Sequence, residues 1–416
     1  MTHFGILCLA ATGHINTFFP LGKALQKRGH RVTVLSAVEA KNNAIAAGLA
    51  FNKVYENSPY RDGDEQAQKG NIANIRQTLK NFSYVAQDRL ERVPAIVRSQ
   101  KIDALLVDLS IFEGGTIADY LNIPYITVCC LLPFYEDITI PPIFTAWQYS
   151  THWWAKLRNQ LAYKLSGRLA RPIWQVINRY RQQWRLEAYT NYNDIFSDLA
   201  IITRHIPEFE FPRELPSHFY FTGPFHHSIE RPPVDFPYEQ MHGKPMIYAS
   251  MGTLQNRDCS IFYTIATACA DLDIQLVLSL GDGLTPEALP NLDGIPIVVD
   301  YAPQLELLKR ATLTITHAGL NTTLEALSYG VPMVAIPITD DQPAVAARIV
   351  WTGAGELIPL RDLNADSLRE KISQVLSNPS YRLNAAKVQD VIARTQGVKD
   401  ALDIIERAFA SGPCNI

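Results

Sequence analysis

The stretch TLTITHAGLNTTLEALSYG, residues 312–330, reads as a strand that ends in a histidine and turns on Gly319 straight into a helix. Leu320, Leu324 and Leu327 form the buried stripe of that helix. Asn321 or Thr322 is the expected N-cap, and Gly330 the glycine just past its end. A strand feeding directly into a helix is half of a βαβ unit, and such units demand parallel strands joined by right-handed crossovers.

The alternation continues in both directions. Upstream, apolar runs at 246–250, 275–280 and 295–299 read as buried parallel strands, and 332–336 is another downstream. Helical patterns follow over 365–376, 381–395 and 398–409. The N-terminal half repeats the theme. A strand over 4–10 leads through a turn at Gly13 into a helix with Phe18, Leu21 and Leu25 on one face, Pro20 in its first turn and Gly29 as its stop. Strands at 31–35, 102–107, 124–130, 201–203 and 219–222 follow, with a helix over 114–121. Four prolines (Pro224, Pro232, Pro233, Pro237) and few periodic apolar positions mark a linker. The expected architecture is α/β, two tandem doubly wound Rossmann-like domains facing a central cleft. Residues 1–225 form the first, 226–245 the linker and 246–397 the second. A last helix, within 398–416, is expected to return to the first domain.

Bulk properties agree with this. A chain of 416 residues exceeds what one core usually serves, and 47% hydrophobic with 19% charged residues is ordinary for a globular protein. A net charge of -3 gives nucleic acid no general attraction. Cys8, Cys129, Cys130, Cys259, Cys269 and Cys414 form no C-x-x-C pair and sit mostly in apolar runs, which fits a reduced, cytoplasmic setting. The first apolar run lacks the Lys/Arg flank of a signal peptide, and no run has the length of a membrane span.

A helix N-terminus presents unpaired N–H groups and the positive end of a dipole, a ready site for phosphate. His317 can add a donor to a phosphate oxygen. Glu325, one turn beyond Asn321 on the same face, can accept both hydroxyls of a ribose. Tyr301 at a strand end could stack on a base, and Asp341-Gln342 could grip sugar hydroxyls. Phosphate and ribose readers at that separation describe a nucleotide diphosphate site.

At this point the sequence resembles the family 1 UDP-glycosyltransferases of GT-B fold, above all the bacterial macrolide and carotenoid (zeaxanthin-type) enzymes. Their box runs from an aromatic-x-x-Q through H-x-G-x-N-[ST]-x-x-E to D-Q, and the resemblance spans the whole chain. It implies Tyr301 on uracil with backbone contacts from Ala302, Gln304 near the ribose, and His317, Gly319, Asn321 and Thr322 about the diphosphate. It also implies Glu325 on the ribose, Asp341 and Gln342 on the sugar, and Thr253 near the phosphates. Plant members carry tryptophan where this chain has Tyr301.

His14 lies just past the first strand, and Asp108 ends a strand of the same domain. A carboxylate on one imidazole nitrogen fixes the tautomer and leaves the other nitrogen to take a proton. The resemblance assigns that pair to catalysis: His14 deprotonates an acceptor hydroxyl, which displaces UDP with inversion. The donor is a UDP-hexose, most simply UDP-glucose, and no metal or further cofactor is expected. Asp62-Gly63-Asp64 imitates a D-x-D metal motif but reads as a solvated loop, and Asp340-Asp341 is no metal pair. His226-His227 reads as surface.

Between Ile138 and Leu186 there is no acid, yet there are Lys156, Arg158, Lys164, Arg168, Arg171, Arg179, Arg181 and Arg185, with all tryptophans but Trp351. Two readings compete. The segment (138–186) rests peripherally on an anionic bilayer at the inner membrane face, or it lines an acceptor pocket with Phe112, Phe134, Phe144, Trp147 and Trp153. Both imply a hydrophobic hydroxylated acceptor such as a carotenoid, terpenoid, polyketide or flavonoid. The alternatives are a UDP-sugar epimerase or hydrolase on the same scaffold, and a catalytically silent relative that binds lipid or a partner.

Overall fold

The computed structural model describes residues 1–55, 72–226, 231, 233–253, 256–281 and 283–410. The first half runs β1 (His3–Leu7), α1 (Thr12–Lys27), β2 (Arg31–Ala37), α2 (Lys41–Ala46), β3 (Ala50–Tyr55), α3 (Ile72–Gln100), β4 (Ala104–Asp108), α4 (Gly114–Leu121) and β5 (Tyr125–Cys129). It closes with α5 (Trp153–Leu169), α6 (Arg171–Gln183), β6 (Ile201–Thr203) and β7 (Phe219–Phe221). The second half runs β8 (Met246–Ser250), α7 (Cys259–Cys269), β9 (Gln275–Ser279), β10 (Ile297–Val299), α8 (Gln304–Leu308), β11 (Ala311–Thr316), α9 (Leu320–Ser328) and β12 (Met333–Ala335). Then come α10 (Gln342–Trp351), β13 (Gly355–Leu357), α11 (Ala365–Ser377), α12 (Pro379–Ile392) and α13 (Val398–Ala410).

Two separate sheets result, ordered β3-β2-β1-β4-β5-β6-β7 and β10-β9-β8-β11-β12-β13, with parallel pairing between neighbours. β1, β4 and β8 are buried on both faces, which is why they read as unbroken apolar runs. In each sheet the strand order reverses once, between β1 and β4 and between β8 and β11. Loops leaving the carboxyl ends of strands at such a switch point splay apart and leave a crevice for a ligand.

Several local expectations change. Pro20 lies inside α1 rather than in its first turn, because the helix already begins at Thr12. The ring removes one backbone bond there, which a helix buried along much of its length can absorb. The N-cap of α9 is Gly319 with no side-chain cap, not Asn321 or Thr322. β3, β13 and the long α3 were not anticipated. His226 is buried rather than on the surface. His227 and the Asp62-Gly63-Asp64 motif lie outside the described residues.

α13 packs on the first half: Val398, Leu402 and Ile405 join the core beneath β1, and Arg28, at the C-cap of α1, pairs with Asp403 and Glu406. The halves are also clamped directly. Glu210, after β6, accepts from Nε of Arg348 on α10 at 3.0 Å, with both side chains buried. Leu132, beyond β5, belongs to the core of the second half.

Candidate active site

Both switch points open onto one cleft. At the first, α1 starts at Thr12, so His14 stands in its first turn and not in the turn before it. Asp108 is the last residue of β4, and its carboxylate is fully buried. Oδ2 lies 2.6 Å from Nδ1 of His14 and accepts from the Leu9 N–H at 3.2 Å, while Oδ1 accepts from the Ser110 N–H at 2.9 Å. Burial pushes the acid up, but the His14 imidazole, the Ser110 N–H and the Cys130 thiol outweigh it and hold Asp108 below the usual carboxylate range. An ionised Asp108 on Nδ1 leaves Nε2 as the ring nitrogen available to a proton on an acceptor. Cys130, not singled out from sequence, completes the group: its Sγ lies 2.9 Å from Nδ1 of His14 and 3.1 Å from Oδ1 of Asp108.

At the second switch point β11 ends in Thr316, and the chain turns through His317, Ala318 (φ 63°) and Gly319 into α9. A Cβ on Gly252 would stand 2.5 Å from the His317 ring, and one on Gly319 2.4 Å from it. The imidazole is thus wedged between two glycines. Burial lowers its pKa to about 4, so it is neutral at pH 7 and carries one donor rather than a charge. Thr253, His317, Gly319, Asn321 and Thr322 all form the cleft wall, as do Tyr301, Ala302 and Gln304. Thr12, Gly13 and His14 form the facing wall, and the Asn321 amide Nδ2 reaches the Gly13 carbonyl at 3.4 Å. Neither α1 nor α9 has a side-chain cap, so two free helix N-termini look into the same crevice.

Like Asn321, four more predicted ligands already have protein partners: Glu325, Gln304, Asp341 and Gln342. Glu325 is buried, paired with Arg231, and accepts from Gln304 Nε2 at 2.6 Å. Gln304 in turn accepts from the Tyr248 hydroxyl at 3.0 Å. Arg231 lines the cleft but was missed in a stretch read only as linker. Asp341 accepts from the Leu132 N–H at 2.9 Å, and burial raises its pKa to about 6. Gln342 Oε1 accepts from the N–H groups of Ile338 and Thr339 at 2.9 and 3.1 Å. Both residues still line the cleft.

The five candidate acceptor residues do not meet in this cleft. Phe112 and Phe134 pack on one another, ring centroids 6.1 Å apart, and Phe112 on Tyr192. Trp147 lies under the Arg158 guanidinium. Phe144 is exposed, and Trp153 is 75% exposed in the first turn of α5. The basic aromatic segment itself divides. Trp174 packs edge-on against Tyr192, Trp184 stacks on Tyr120, and Arg181 is buried against Asp119 and Tyr189. On α5, by contrast, Trp154, Leu157, Leu161 and Leu165 form an exposed apolar face beside exposed Lys156, Lys164 and Arg168. No described helix is long and apolar enough to cross a membrane.

Comparison with known proteins bears on this geometry. A family model described as UDP-glucoronosyl and UDP-glucosyl transferase matches residues 66–404. The chain is 30% identical to a zeaxanthin glucosyltransferase of Pseudescherichia vulneris over 99% of its own length and 98% of that protein. It is 25% identical to the 4'-demethylrebeccamycin synthase of Lentzea aerocolonigenes, covering 95% of this chain and 96% of that protein. Among solved structures it is similar to the calicheamicin glycosyltransferase CalG4, with a TM-score of 0.75 at 20% identity over 99% of each chain, a likeness of fold.

Proposed function

Because the chain belongs to the UDP-glucoronosyl and UDP-glucosyl transferase family and is a glycosyltransferase using a UDP-sugar, we propose that His14 is its general base and Asp108 the group that orients it. Nε2 of His14 takes the proton of an acceptor hydroxyl, whose oxygen attacks the anomeric carbon opposite UDP, inverting it. Asp108 stabilises the imidazolium so formed. The diphosphate leaves against the N-terminus of α9, where free N–H groups, the dipole and the His317 N–H meet its charge without a metal ion. Tyr301 and Ala302 hold the uracil, Gln304 and Glu325 the ribose, Thr253, Gly319, Asn321 and Thr322 the phosphates, and Asp341 and Gln342 the hexose. Residues 1–225 supply the acceptor side and 246–397 the donor side.

The observation that carries this reading is the Asn321–Gly13 contact, which sets the start of α9 against the turn of α1 that bears His14. His14→Ala should slow UDP release from UDP-glucose and an apolar alcohol by about 10²–10⁴-fold, the usual worth of a general base. Turnover at the wild-type rate in that variant sinks the assignment.

The acceptor is an apolar hydroxylated molecule of the carotenoid or polyketide kind, a reading supported by the zeaxanthin in the names of two relatives. The exposed face of α5 supports a peripheral seat on an anionic, inner-leaflet bilayer, where each cation contributes about 1 kcal/mol. Leu161 and Leu165, each 58% exposed, would enter the headgroup boundary. Flotation with anionic vesicles at low salt should carry the protein upward, and Leu161→Glu/Leu165→Glu should abolish it. Absence of wild-type binding removes the membrane seat and leaves the transfer reaction untouched.

A further inference from the structure

The buried thiol beside the His14–Asp108 pair has no part in the chemistry above, yet it touches both members. β5 pairs with β4 so that Val128 lies opposite Asp108, and Cys130, two residues on, emerges next to the carboxylate. Its backbone is tied as well, since the Cys130 carbonyl accepts from Arg204 Nη2 at 2.8 Å.

The contacts allow one arrangement of protons. Nδ1 of His14 spends its hydrogen on Oδ2 of Asp108 at 2.6 Å, so the thiol hydrogen goes to Oδ1 at 3.1 Å and the sulfur abuts Nδ1 at 2.9 Å. Each carboxylate oxygen then has two donors: Leu9 N–H and His14 on Oδ2, Ser110 N–H and Cys130 on Oδ1. Burial, reinforced by the Asp108 charge, pushes the thiol well above its ordinary range, which keeps it protonated and a standing donor. The other charged groups bearing on this cluster are Arg204, Asp340 and Asp341.

We propose that Cys130 is a positioning residue of the transfer reaction: by donating to Oδ1 and filling the space against Nδ1, it fixes the plane of the Asp108 carboxylate so that Oδ2 meets the imidazole in line. This rests on His14 being the base. Without the thiol, Oδ1 loses a donor, the carboxylate becomes more basic, and the imidazolium of His14 is held more firmly. The carboxylate is also free to rotate.

The experiment compares Cys130→Ala, Cys130→Ser and His14→Ala, measuring UDP binding by calorimetry and kcat and kcat/KM across pH. Cys130→Ala should bind UDP as wild type does, lose about tenfold in kcat, the low end of what is lost with a group that orients a metal-bound imidazole, and shift the acidic limb of kcat/KM to higher pH. Cys130→Ser, which restores a donor to Oδ1, should return both toward wild type. A packing role alone would leave the limb in place. The proposal is overturned if Cys130→Ala keeps the wild-type kcat and pH profile, or if Cys130→Ser is as impaired as the alanine variant. Wild-type turnover in His14→Ala would overturn the base assignment itself, a result the cysteine variants cannot mimic.

Discussion

Arg348→Met should loosen the contact between the two halves, and the size of the effect follows from the burial of its partner. Arg348 and Glu210 expose 1% and 4% of their side chains, and the guanidinium also lies over the Phe211 ring. At a charge separation of about 4 Å and an effective dielectric near 20, their attraction is about 4 kcal/mol, comparable with the cost of burying them. The pair as a whole is therefore close to neutral. Removing only the cation strands the Glu210 carboxylate in the interface, at about 3–5 kcal/mol. The pH dependence has a definite sign. In the wild type Arg348 and His205 outweigh burial and depress Glu210, so its contribution is present above the unfolded carboxylate value of about 4.3 and is lost only as pH falls through the lower folded value. In the variant, burial prevails and the carboxyl takes up a proton more readily. The destabilisation should thus be largest near pH 7 and shrink as the solution is acidified. Urea unfolding followed by tryptophan fluorescence measures this, with Trp351 packed edge-on against Phe211 as a local reporter. Arg348→Met/Glu210→Gln should recover most of the loss. A single variant within 1 kcal/mol of wild type, or a double variant no better than the single, would refute the reasoning.

Two further outcomes test the donor wall. Gly319→Ala puts a Cβ 2.4 Å from the His317 ring at an ordinary φ, whereas Gly252→Ala adds a left-handed φ of 76° to a 2.5 Å contact. Both should cut turnover, by about 100-fold if the ring moves 1 Å, with Gly252→Ala the worse; wild-type turnover in both would remove His317 from the proposed phosphate site. Glu325→Gln takes the charge from the proposed ribose acceptor, so UDP affinity by calorimetry should fall about tenfold to hundredfold, and unchanged affinity would leave Glu325 as only the partner of Arg231 and Gln304.

What could be read from sequence was what local pattern dictates. Strands buried on both faces announced themselves, as did the turn at His317. β3 did not, because only its last two residues, Val54 and Tyr55, are buried and Asn52 and Lys53 break the run. β13 spans three residues and has no pattern to show. Pro20 misled because proline favours the first turn of a helix, whereas α1 already begins at Thr12 and buries His14, Ile15 and Thr17 ahead of the ring. Asn321 has a good capping side chain, but it is turned across the cleft to Gly13 instead of back on its own helix. Cys130 and Arg231 needed tertiary information. One is placed by the register of β5 against β4, the other by a linker that brings it to Glu325. Trp174, Trp184 and Arg181 looked like the rest of a basic aromatic surface, and only packing separates them from the face of α5.

The placement of the chemistry follows from chain direction. Parallel strands send every βα turn to the same sheet edge, so each half can offer a ligand only its carboxyl-end loops and the helix N-termini behind them. Setting two such edges face to face brings two positive dipole ends, those of α1 and α9, onto one crevice. A diphosphate can answer only one of them. On the α9 side the wall is glycine, amide and a neutral His317, suited to an anion already charged. On the α1 side it is an imidazole backed by an ionised Asp108, suited to a proton that arrives during the reaction. Exchanging these surroundings would place a carboxylate behind the phosphates and leave the acceptor without a base, so the asymmetry between the two switch points supports the proposed donor and acceptor sides.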